Sequence, residues 1–187
     1  MNQVDTNVAG AGQVVWITGL SGAGKSTLAQ AFAAGLRAQG QSVVVLDGDE
    51  LREVFGNTAD RAQNYDRAAR LALAMQYAHL CRVIAAQGHI VVIATISLFH
   101  EVHAWNRSQL PGYFEVYLQV PLEELRRRDP KGIYRRFDAG ELHNVAGLDL
   151  SIDEPSAADW AVAFEPQRTL ATLTEDLLHR FYKRKLV

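Results

Sequence analysis

Short apolar runs alternate with longer segments of helical periodicity along this chain. Five runs have the length and composition of strands, namely 14–18, 42–46, 89–94, 114–118 and 160–164. Helical spacing of apolar residues marks the segments 25–39, 60–87, 122–128 and 168–183. Strands that alternate with helices indicate β-α-β units and a parallel sheet covered on both faces. The pattern therefore predicts an α/β fold of three layers, α/β/α, around a mostly parallel five-stranded sheet.

Two of the predicted helices carry clear apolar stripes. In the second helix the stripe is Leu71, Met75, Ala78 and Arg82, and Gly88 is a stop signal. In the last helix it is Leu170, Leu173, Leu177 and Phe181, which predicts packing on the sheet. Cys81 is the single cysteine and lies in an apolar helical stretch, so we expect a buried structural thiol.

The segment 129–156 interrupts the alternation. It is rich in Gly, Asp, Arg and Lys and has little periodicity. A long irregular segment inside a compact domain is often a lid or a binding loop, so we predict a mobile lid here. We expect one domain over 13–187, preceded by a flexible tail at 1–12.

The predicted strands end in polar or glycine-rich sequences. The first is followed by Gly19, the second by Asp47-Gly48-Asp49, and the third by Thr95-Ile96-Ser97. Ligands of open α/β sheets bind outside the carboxyl ends of the strands. The candidate chemistry therefore converges on one edge of the sheet.

The first strand leads into Gly-Leu-Ser-Gly-Ala-Gly-Lys-Ser, which matches the phosphate-binding loop G-x-x-x-x-G-K-[ST]. Its glycines and the following helix N-terminus can direct backbone N–H groups at a polyphosphate. Lys25 would reach the β and γ phosphates, and the Ser26 hydroxyl would bind Mg²⁺. The motif predicts a P-loop NTPase fold, with a nucleotide held by Gly19, Leu20, Ser21, Gly22, Ala23, Gly24, Lys25, Ser26 and Thr27.

The carboxylates Asp47 and Asp49 flank a glycine directly after the second strand. We predict that Asp47 assists Mg²⁺ and that Asp49 accepts a proton from an incoming hydroxyl. The alternative is a solvated turn in which Asp49 caps the helix that contains Arg52. No aspartate follows the third strand, where many triphosphatases hold their metal, and this favours a functional role for the pair.

Several arginines lie between this pair and the long second helix. Planar guanidinium groups suit bidentate binding of phosphate or sulfate, although any one of them could belong to a solvated helix face. As a group they indicate a second anionic ligand; they are Arg52, Arg61, Arg67 and Arg70, together with Asn64. The motif His100-Glu101-Val102-His103 places its histidines three residues apart, unlike the zinc motif H-E-x-x-H, so we do not expect zinc.

Composition limits the partners that we expect. The formal net charge of -2 supplies no basic field for nucleic acid. No apolar stretch has the length that spans a bilayer, and residues 1–12 lack a signal core, so we expect a cytoplasmic protein without a membrane partner. The oligomeric state stays open, with a homodimer as one candidate.

Together these motifs resemble the adenylyl-sulfate kinase family over nearly all of 14–164. The resemblance rests on the phosphate loop, Leu46-Asp-Gly-Asp-Glu-Leu-Arg52, Arg61-x-x-Asn64, Ile96-Ser97, Arg128-Asp-Pro-Lys-Gly-Ile-Tyr134, and Asn144-x-x-Gly147. It implies transfer of the γ-phosphoryl group of ATP, with Mg²⁺, to the ribose 3′-hydroxyl of adenosine 5′-phosphosulfate. Lys131 would move in with the lid, and Arg128 would contact ATP. The acceptor residues implied are Arg52, Phe55, Arg61, Asn64, Ile96, Ser97, Leu98, Lys131, Gly132, Asn144 and Val145.

The chain departs from that family where the acceptor base should stack. The interval from Arg52 to Arg61 lacks the family's Leu-Gly-Phe-Ser stretch, and Val145 stands where a second phenylalanine is usual. Stacking on an aromatic ring contributes about 1–3 kcal/mol, so an adenine site would be weaker unless Phe55 or Phe99 substitutes. The stretch 96–107 also resembles cytidine diphosphoramidate kinase, which implies a pyrimidine nucleotide as the alternative acceptor. A nucleotide-dependent regulatory protein is the alternative outside the kinases.

Overall fold

A five-stranded parallel sheet forms the centre of the computed structural model, which describes residues 12–55 and 66–184. The strands are β1 (Gln13–Thr18), β2 (Val43–Asp47), β3 (Ile90–Ala94), β4 (Phe114–Gln119) and β5 (Trp160–Ala163). Their order is β2-β3-β1-β4-β5, and every adjacent pair is parallel. The predicted α/β sheet is confirmed, with each strand within two residues of its predicted bounds.

Seven helices connect the strands within the described ranges. They are α1 (Lys25–Ala38), α2 (Gly48–Val54), α3 (Arg67–Ala85), α4 (His100–Gln109), α5 (Leu122–Arg128), α6 (Ile133–Asp138) and α7 (Leu170–Arg184). The segment predicted to be irregular therefore contains α6. Periodicity missed α4 and α6 because both are short, and α4 buries only Val102 and Asn106. Residues 1–11 of the predicted tail and residues 60–65 of the predicted second helix lie outside the described residues.

Each face of the sheet has its own core, because successive strand residues point to opposite sides. Val15 and Ile17 face α1 and α7, where Phe32 meets Phe181 with ring centroids 5.5 Å apart. Val14 and Trp16 face α3 and α4. The chain thus forms the predicted three layers, and helices on both faces leave the carboxyl edge of the sheet open for a site.

The buried stripe of α3 differs from the predicted one. Its buried residues are Leu73, Ala74, Tyr77, Ala78, Cys81 and Ala85, whereas Leu71 and Met75 are only partly buried and Arg82 is exposed. Small residues at 74, 78 and 85 let the helix approach the sheet closely, so tertiary packing outweighs the larger side chains in setting the face. Cys81 is fully buried and burial raises its thiol pKa. In the last helix Leu177 and Phe181 are buried as predicted, but Leu170 is exposed.

No helix among the described residues is long and apolar enough to cross a membrane.

Candidate functional site

A cleft of about 1320 Å³ opens at the carboxyl edge of the sheet. The loop after β1 and the first turn of α1 form one wall, the ends of β2 and β3 form the floor, and α3 with parts of 128–152 forms the rest. The polar groups that the sequence predicted to converge therefore do share one cavity.

The phosphate loop takes the backbone conformation that its glycines permit. Gly19, Gly22 and Gly24 all have positive φ, of 145°, 79° and 96°. At Gly19 a side chain is also excluded by space, because a Cβ there would lie 2.8 Å from the Leu118 carbonyl oxygen. Within the described residues no side chain caps α1, which leaves its first-turn N–H groups as donors for an anion.

Lys25, the first residue of α1, lies inside this loop. Its Nζ donates to the Leu20 carbonyl oxygen at 2.8 Å. Burial and then repulsion from Lys131 lower the pKa of Lys25 to about 8, against the opposing effect of Asp49 and Asp47. A polyphosphate entering the cleft would supply the negative charge that this buried ammonium group lacks.

Ser26 and Asp47 are joined across the cleft floor. The Ser26 hydroxyl donates to Asp47 Oδ2 at 2.5 Å, and Asp47 Oδ1 accepts from the Asp49 backbone N–H at 2.8 Å. Asp47 therefore caps α2, and the alternative in which Asp49 is the cap is wrong. A hydroxyl beside a carboxylate is a set of oxygen donors that fits Mg²⁺.

Asp49 lies at the mouth of the cleft between two cations. Its carboxylate accepts from Lys131 Nζ, and from Arg52 Nη1 at 3.2 Å. Burial raises its pKa, but the hydrogen bond and charge of Lys131, with Arg52 and Lys25, outweigh this and hold the pKa below its usual range. Asp49 is therefore ionised at neutral pH and able to accept a proton.

The segment predicted to be a lid packs on the phosphate loop. The Tyr134 hydroxyl of α6 donates to the Ser21 carbonyl oxygen at 2.9 Å, and Arg128 Nη1 donates to that of Gly22 at 3.4 Å. Gly132 is the N-cap of α6, and the carboxylate of Asp129, with φ of 24°, accepts from the Tyr134 and Arg135 N–H groups at 3.2 and 3.0 Å. This tight connection between α5 and α6 places Lys131 over Asp49.

The opposite wall of the cleft is mainly apolar. After β3 the chain presents Ile96, Ser97, Leu98 and Phe99, and α3 presents Leu73, Ala74 and Tyr77. Phe99 lines the cleft and is only 6% exposed, whereas Phe55 is 39% exposed and packs on Tyr77, with ring centroids 5.9 Å apart. Of the two phenylalanines that could replace a missing base-stacking ring, Phe99 is the one that lines the cleft.

The segment 144–153 closes this wall, and we call it the acceptor loop. The Asp149 carboxylate accepts from the backbone N–H groups of Asn144 and Val145 at 2.8 and 2.6 Å, which folds the loop on itself. Asn144 has φ of 57°, and Gly147 lies so close to Leu20 that a Cβ would approach its side chain to 2.9 Å. The fold of this loop directs Val145 into the cleft.

Most of the sequence-predicted site residues meet at the cleft. The cleft lining includes Ser21, Gly22, Gly24, Lys25, Ser26, Thr27, Asp47, Asp49, Arg52, Ile96, Ser97, Leu98, Arg128, Lys131 and Val145. It does not include six others among the described residues, which are Gly19, Leu20, Ala23, Phe55, Gly132 and Asn144. Arg61 and Asn64 lie outside the described residues.

Sequence reasoning missed the part of the lining that α3 contributes. Leu73, Ala74 and Tyr77 follow Arg70 at helical spacing, so the signal was the continuation of one helix face from a candidate arginine. Tyr77 also donates from its hydroxyl to the Gly48 carbonyl oxygen at 3.2 Å, which connects α3 to the Asp47-Gly48-Asp49 turn.

Comparison with known proteins adds independent information on the family. A model described as adenylylsulphate kinase matches residues 11–163. A cytidine diphosphoramidate kinase of Campylobacter jejuni is 40% identical over 144 residues, which is 77% of this chain and 82% of that protein. An adenylyl-sulfate kinase of Pseudomonas aeruginosa is 36% identical over 170 residues, which is 87% of this chain and 78% of that protein.

Solved structures agree in fold. The Mycobacterium tuberculosis APS kinase CysC in complex with AMPPNP and APS matches with a TM-score of 0.81 and 31% sequence identity. The match covers 92% of this chain and 98% of that one.

Proposed function

The chain belongs to the adenylylsulphate kinase family, and we propose that it transfers the γ-phosphoryl group of ATP to a hydroxyl of a small nucleotide. The 3′-hydroxyl of adenosine 5′-phosphosulfate is the first candidate acceptor. The observation that carries the proposal is the juxtaposition of Lys25, Asp49 and Lys131 between a phosphate loop and a second, apolar wall.

On the donor side we propose that residues 19–27 hold the ATP phosphates. Lys25 pairs with the β and γ phosphates, and Arg128, stacked on Phe164 at 4.8 Å from the ring centroid, borders the nucleotide. Ser26 and Asp47 would hold Mg²⁺, which supplies charge neutralisation on the transferred phosphoryl group when it is bound.

For the transfer itself we propose that Asp49 is the general base. The acceptor hydroxyl oxygen attacks the γ phosphorus, its proton passes to the Asp49 carboxylate, and the bond from phosphorus to the bridging oxygen breaks to release ADP. Lys131 neutralises developing charge, and the docked lid excludes water that would hydrolyse ATP. Arg52 lies close enough to Asp49 to orient the acceptor.

Acceptor-dependent ADP release tests the proposal directly. We expect ADP release with Mg²⁺ and ATP to rise well above background when a nucleotide acceptor is added, and a phosphorylated acceptor to appear in equal amount. If neither candidate acceptor raises ADP release, a nucleotide-dependent regulatory protein becomes the better explanation.

The second candidate acceptor is cytidine diphosphoramidate, and a specific observation favours it. Val145 directs an aliphatic side chain into the cleft at the position where the resemblance implies a stacking phenylalanine, and a smaller pyrimidine ring needs less stacking area. Parallel turnover measurements on the two acceptors at matched concentrations would separate them. Efficient use of adenosine phosphosulfate at low micromolar concentration would count against the pyrimidine acceptor.

We propose one kinase domain over 13–187 with a lid at about 129–156, a cytoplasmic location, and a homodimer as the assembly to test first by light scattering. Residue Gly12 donates its N–H to the Ala85 carbonyl oxygen at 3.1 Å, so the proposed domain can include it.

A further inference from the structure

The motif at 100–103, which the proposed reaction does not use, makes a polar network with the start of α3. Arg67, the first residue of α3, donates to both carboxylate oxygens of Glu101 at 3.0 Å. The same guanidinium donates from Nη2 to Asp153 Oδ2 at 2.9 Å. Arg67 also lies over the ring of Phe99, 5.3 Å from its centroid. Arg67 therefore joins α3, the chain after β3 and the acceptor loop, the three segments that form the apolar wall of the cleft, which we call the acceptor wall.

Asp153, the last residue of the acceptor loop, is held through its backbone as well. Its N–H donates to the Leu98 carbonyl oxygen at 3.0 Å, and its carboxylate accepts from the His100 backbone N–H at 3.2 Å. The His103 ring lies 3.2 Å from the Asp153 carbonyl oxygen. These contacts join the end of the loop to α4 and to the chain that follows β3.

The other end of the acceptor loop is joined to α3, the helix that carries Arg67. Arg70 Nη2 donates to the Asn144 carbonyl oxygen at 2.6 Å. Residues 67 and 70 are three apart and therefore lie on one face of α3. The loop residues between these two attachments that line the cleft are Val145, Ala146, Leu150, Ser151 and Ile152.

These contacts revise the sequence interpretation of Arg67, whereas Arg70 lines the cleft. We expected Arg67 and Arg70 to belong to a group that binds an anionic ligand. Arg67 instead faces two carboxylates, which already balance its charge, and within the described residues it does not line the cleft. Its position favours a structural partner over a ligand phosphate.

We propose that Arg67 and Arg70 act as a clamp through which α3 holds both ends of the acceptor loop and so positions the wall that contacts the acceptor nucleotide. The inference rests on the proposed function and deepens it. Arg67 is a positioning residue that acts through Asp153, and its loss weakens acceptor binding without altering the ATP site. Glu101 orients the Arg67 guanidinium, and this guanidinium packs on the ring of Phe99, which lines the cleft.

Kinetic measurements on paired variants test the clamp. In Arg67→Gln and in Asp153→Asn we expect the acceptor KM to rise about tenfold, with the ATP KM and kcat within about twofold of wild type. The double variant should be no worse than the worse single variant, because both substitutions break one contact. Arg67→Lys should recover part of the loss.

One control matches these variants. Arg82→Gln removes an arginine from the same helix where it stacks on Trp105, 5.5 Å from the ring centroid. It should leave the acceptor KM within about twofold. An unchanged acceptor KM in Arg67→Gln, or losses that multiply in the double variant, would overturn the proposal.

Hydrogen exchange supplies a readout that does not need activity. The loop N–H groups of Gly147, Leu150 and Asp153 donate to carbonyl oxygens at 2.9, 3.2 and 3.0 Å. Their exchange should accelerate about tenfold in Arg67→Gln, while that of β3 stays unchanged and shows that the variant is folded.

The kinetic and the hydrogen-exchange measurements together distinguish failure of the clamp from failure of the proposed function. If wild-type protein uses neither acceptor, the proposed function fails, and equal exchange in wild type and variant then overturns the clamp on its own. If exchange accelerates but the acceptor KM does not rise, the loop is held as described but does not position the acceptor, and the proposal is overturned.

Discussion

The two walls of the cleft are built in different ways. The donor wall is one continuous run, 19–27, whose shape depends on backbone conformation at Gly19, Gly22 and Gly24. The acceptor wall brings together the chain after β3, one face of α3 and the acceptor loop, through side chains far apart in sequence. Recognition by backbone N–H groups tolerates changes in neighbouring side chains, whereas recognition by packed side chains does not. The phosphate loop is thus encoded locally, whereas the shape of the acceptor wall depends on tertiary packing.

Removal of the Asp49 carboxylate should give the largest effect. It should slow the transfer step while the binding of ATP at the donor wall stays nearly unchanged. In Asp49→Ala we expect kcat to fall by about 10²–10⁴ because the proposed general base is lost. Single-turnover kinetics and an ATP binding titration would measure this, and ATP affinity should stay within a few fold. Glu50→Gln, on the adjacent exposed residue of α2, is the matched control. Turnover unchanged in Asp49→Ala would remove Asp49 from the mechanism.

A ring at position 145 should alter the acceptor wall alone. In Val145→Phe a stacking contribution of about 1–3 kcal/mol should lower the KM for adenosine phosphosulfate by about 5- to 150-fold. The ATP KM should not change. Val145→Leu is the control, since it adds bulk without a π face, and an equal gain in both variants would mean that stacking is not the cause.

Nucleotide affinity should depend on pH through Lys25, which lies in the donor wall. Because burial and Lys131 lower the pKa of Lys25 to about 8, the unliganded protein loses this charge as the pH rises through 8. Above that pH, binding of the nucleotide requires Lys25 to take up a proton. The dissociation constant of the nucleotide should therefore increase with pH, approaching about tenfold for each pH unit. Calorimetric titrations with ADP at several pH values would measure the slope. Lys25→Arg stays charged and should remove it; the same slope in both proteins would contradict the explanation.

The smallest effect is expected from the internal bonds of the acceptor loop. Burial raises the pKa of Asp149, but the N–H groups of Asn144 and Val145 outweigh this and hold the pKa below its ordinary value. The bonds are therefore intact above the ordinary pKa and are lost as the pH falls through the lowered one. Asp149→Asn should destabilise the loop by about 1 kcal/mol.

Hydrogen exchange across 144–150 would measure that loss. Acid should lower the protection of these N–H groups, that is, raise their exchange rate relative to that of an unstructured chain at the same pH, in wild type and much less in Asp149→Asn. Equal acid sensitivity in the two proteins would show that another group controls the loop.

The sequence predicts the features that depend on contiguous segments better than those that depend on tertiary packing. The strands, α1, α5 and the phosphate loop were predictable because their signals are contiguous. The buried face of α3 was not, because small residues such as Ala74 and Ala78 face the sheet while Leu71 lies at the margin. The helix α6 was missed because it has only six residues, and its first turn is held by the Asp129 carboxylate from outside the helix.

The acceptor loop could not be predicted from local pattern at all. Its position depends on Arg67 and Asp153, which are separated by 86 residues, and on Gly147 packing against Leu20. The sequence marked Asn144 and Val145 as candidates through a family resemblance, but only the folded chain brings Val145 into the cleft while Asn144 turns its carbonyl oxygen to Arg70.

The burial of Cys81 has a practical consequence. It is the single cysteine of the sequence, it has no exposed surface, and it lies on the sheet-facing side of the helix that carries Arg67 and Arg70. A thiol reagent can reach it only when the packing of α3 on the sheet opens, so the labelling rate rises and falls with the population of that open state. The wild-type protein thus contains its own reporter, without any engineered label, for whether a ligand tightens the helix that supports the acceptor wall.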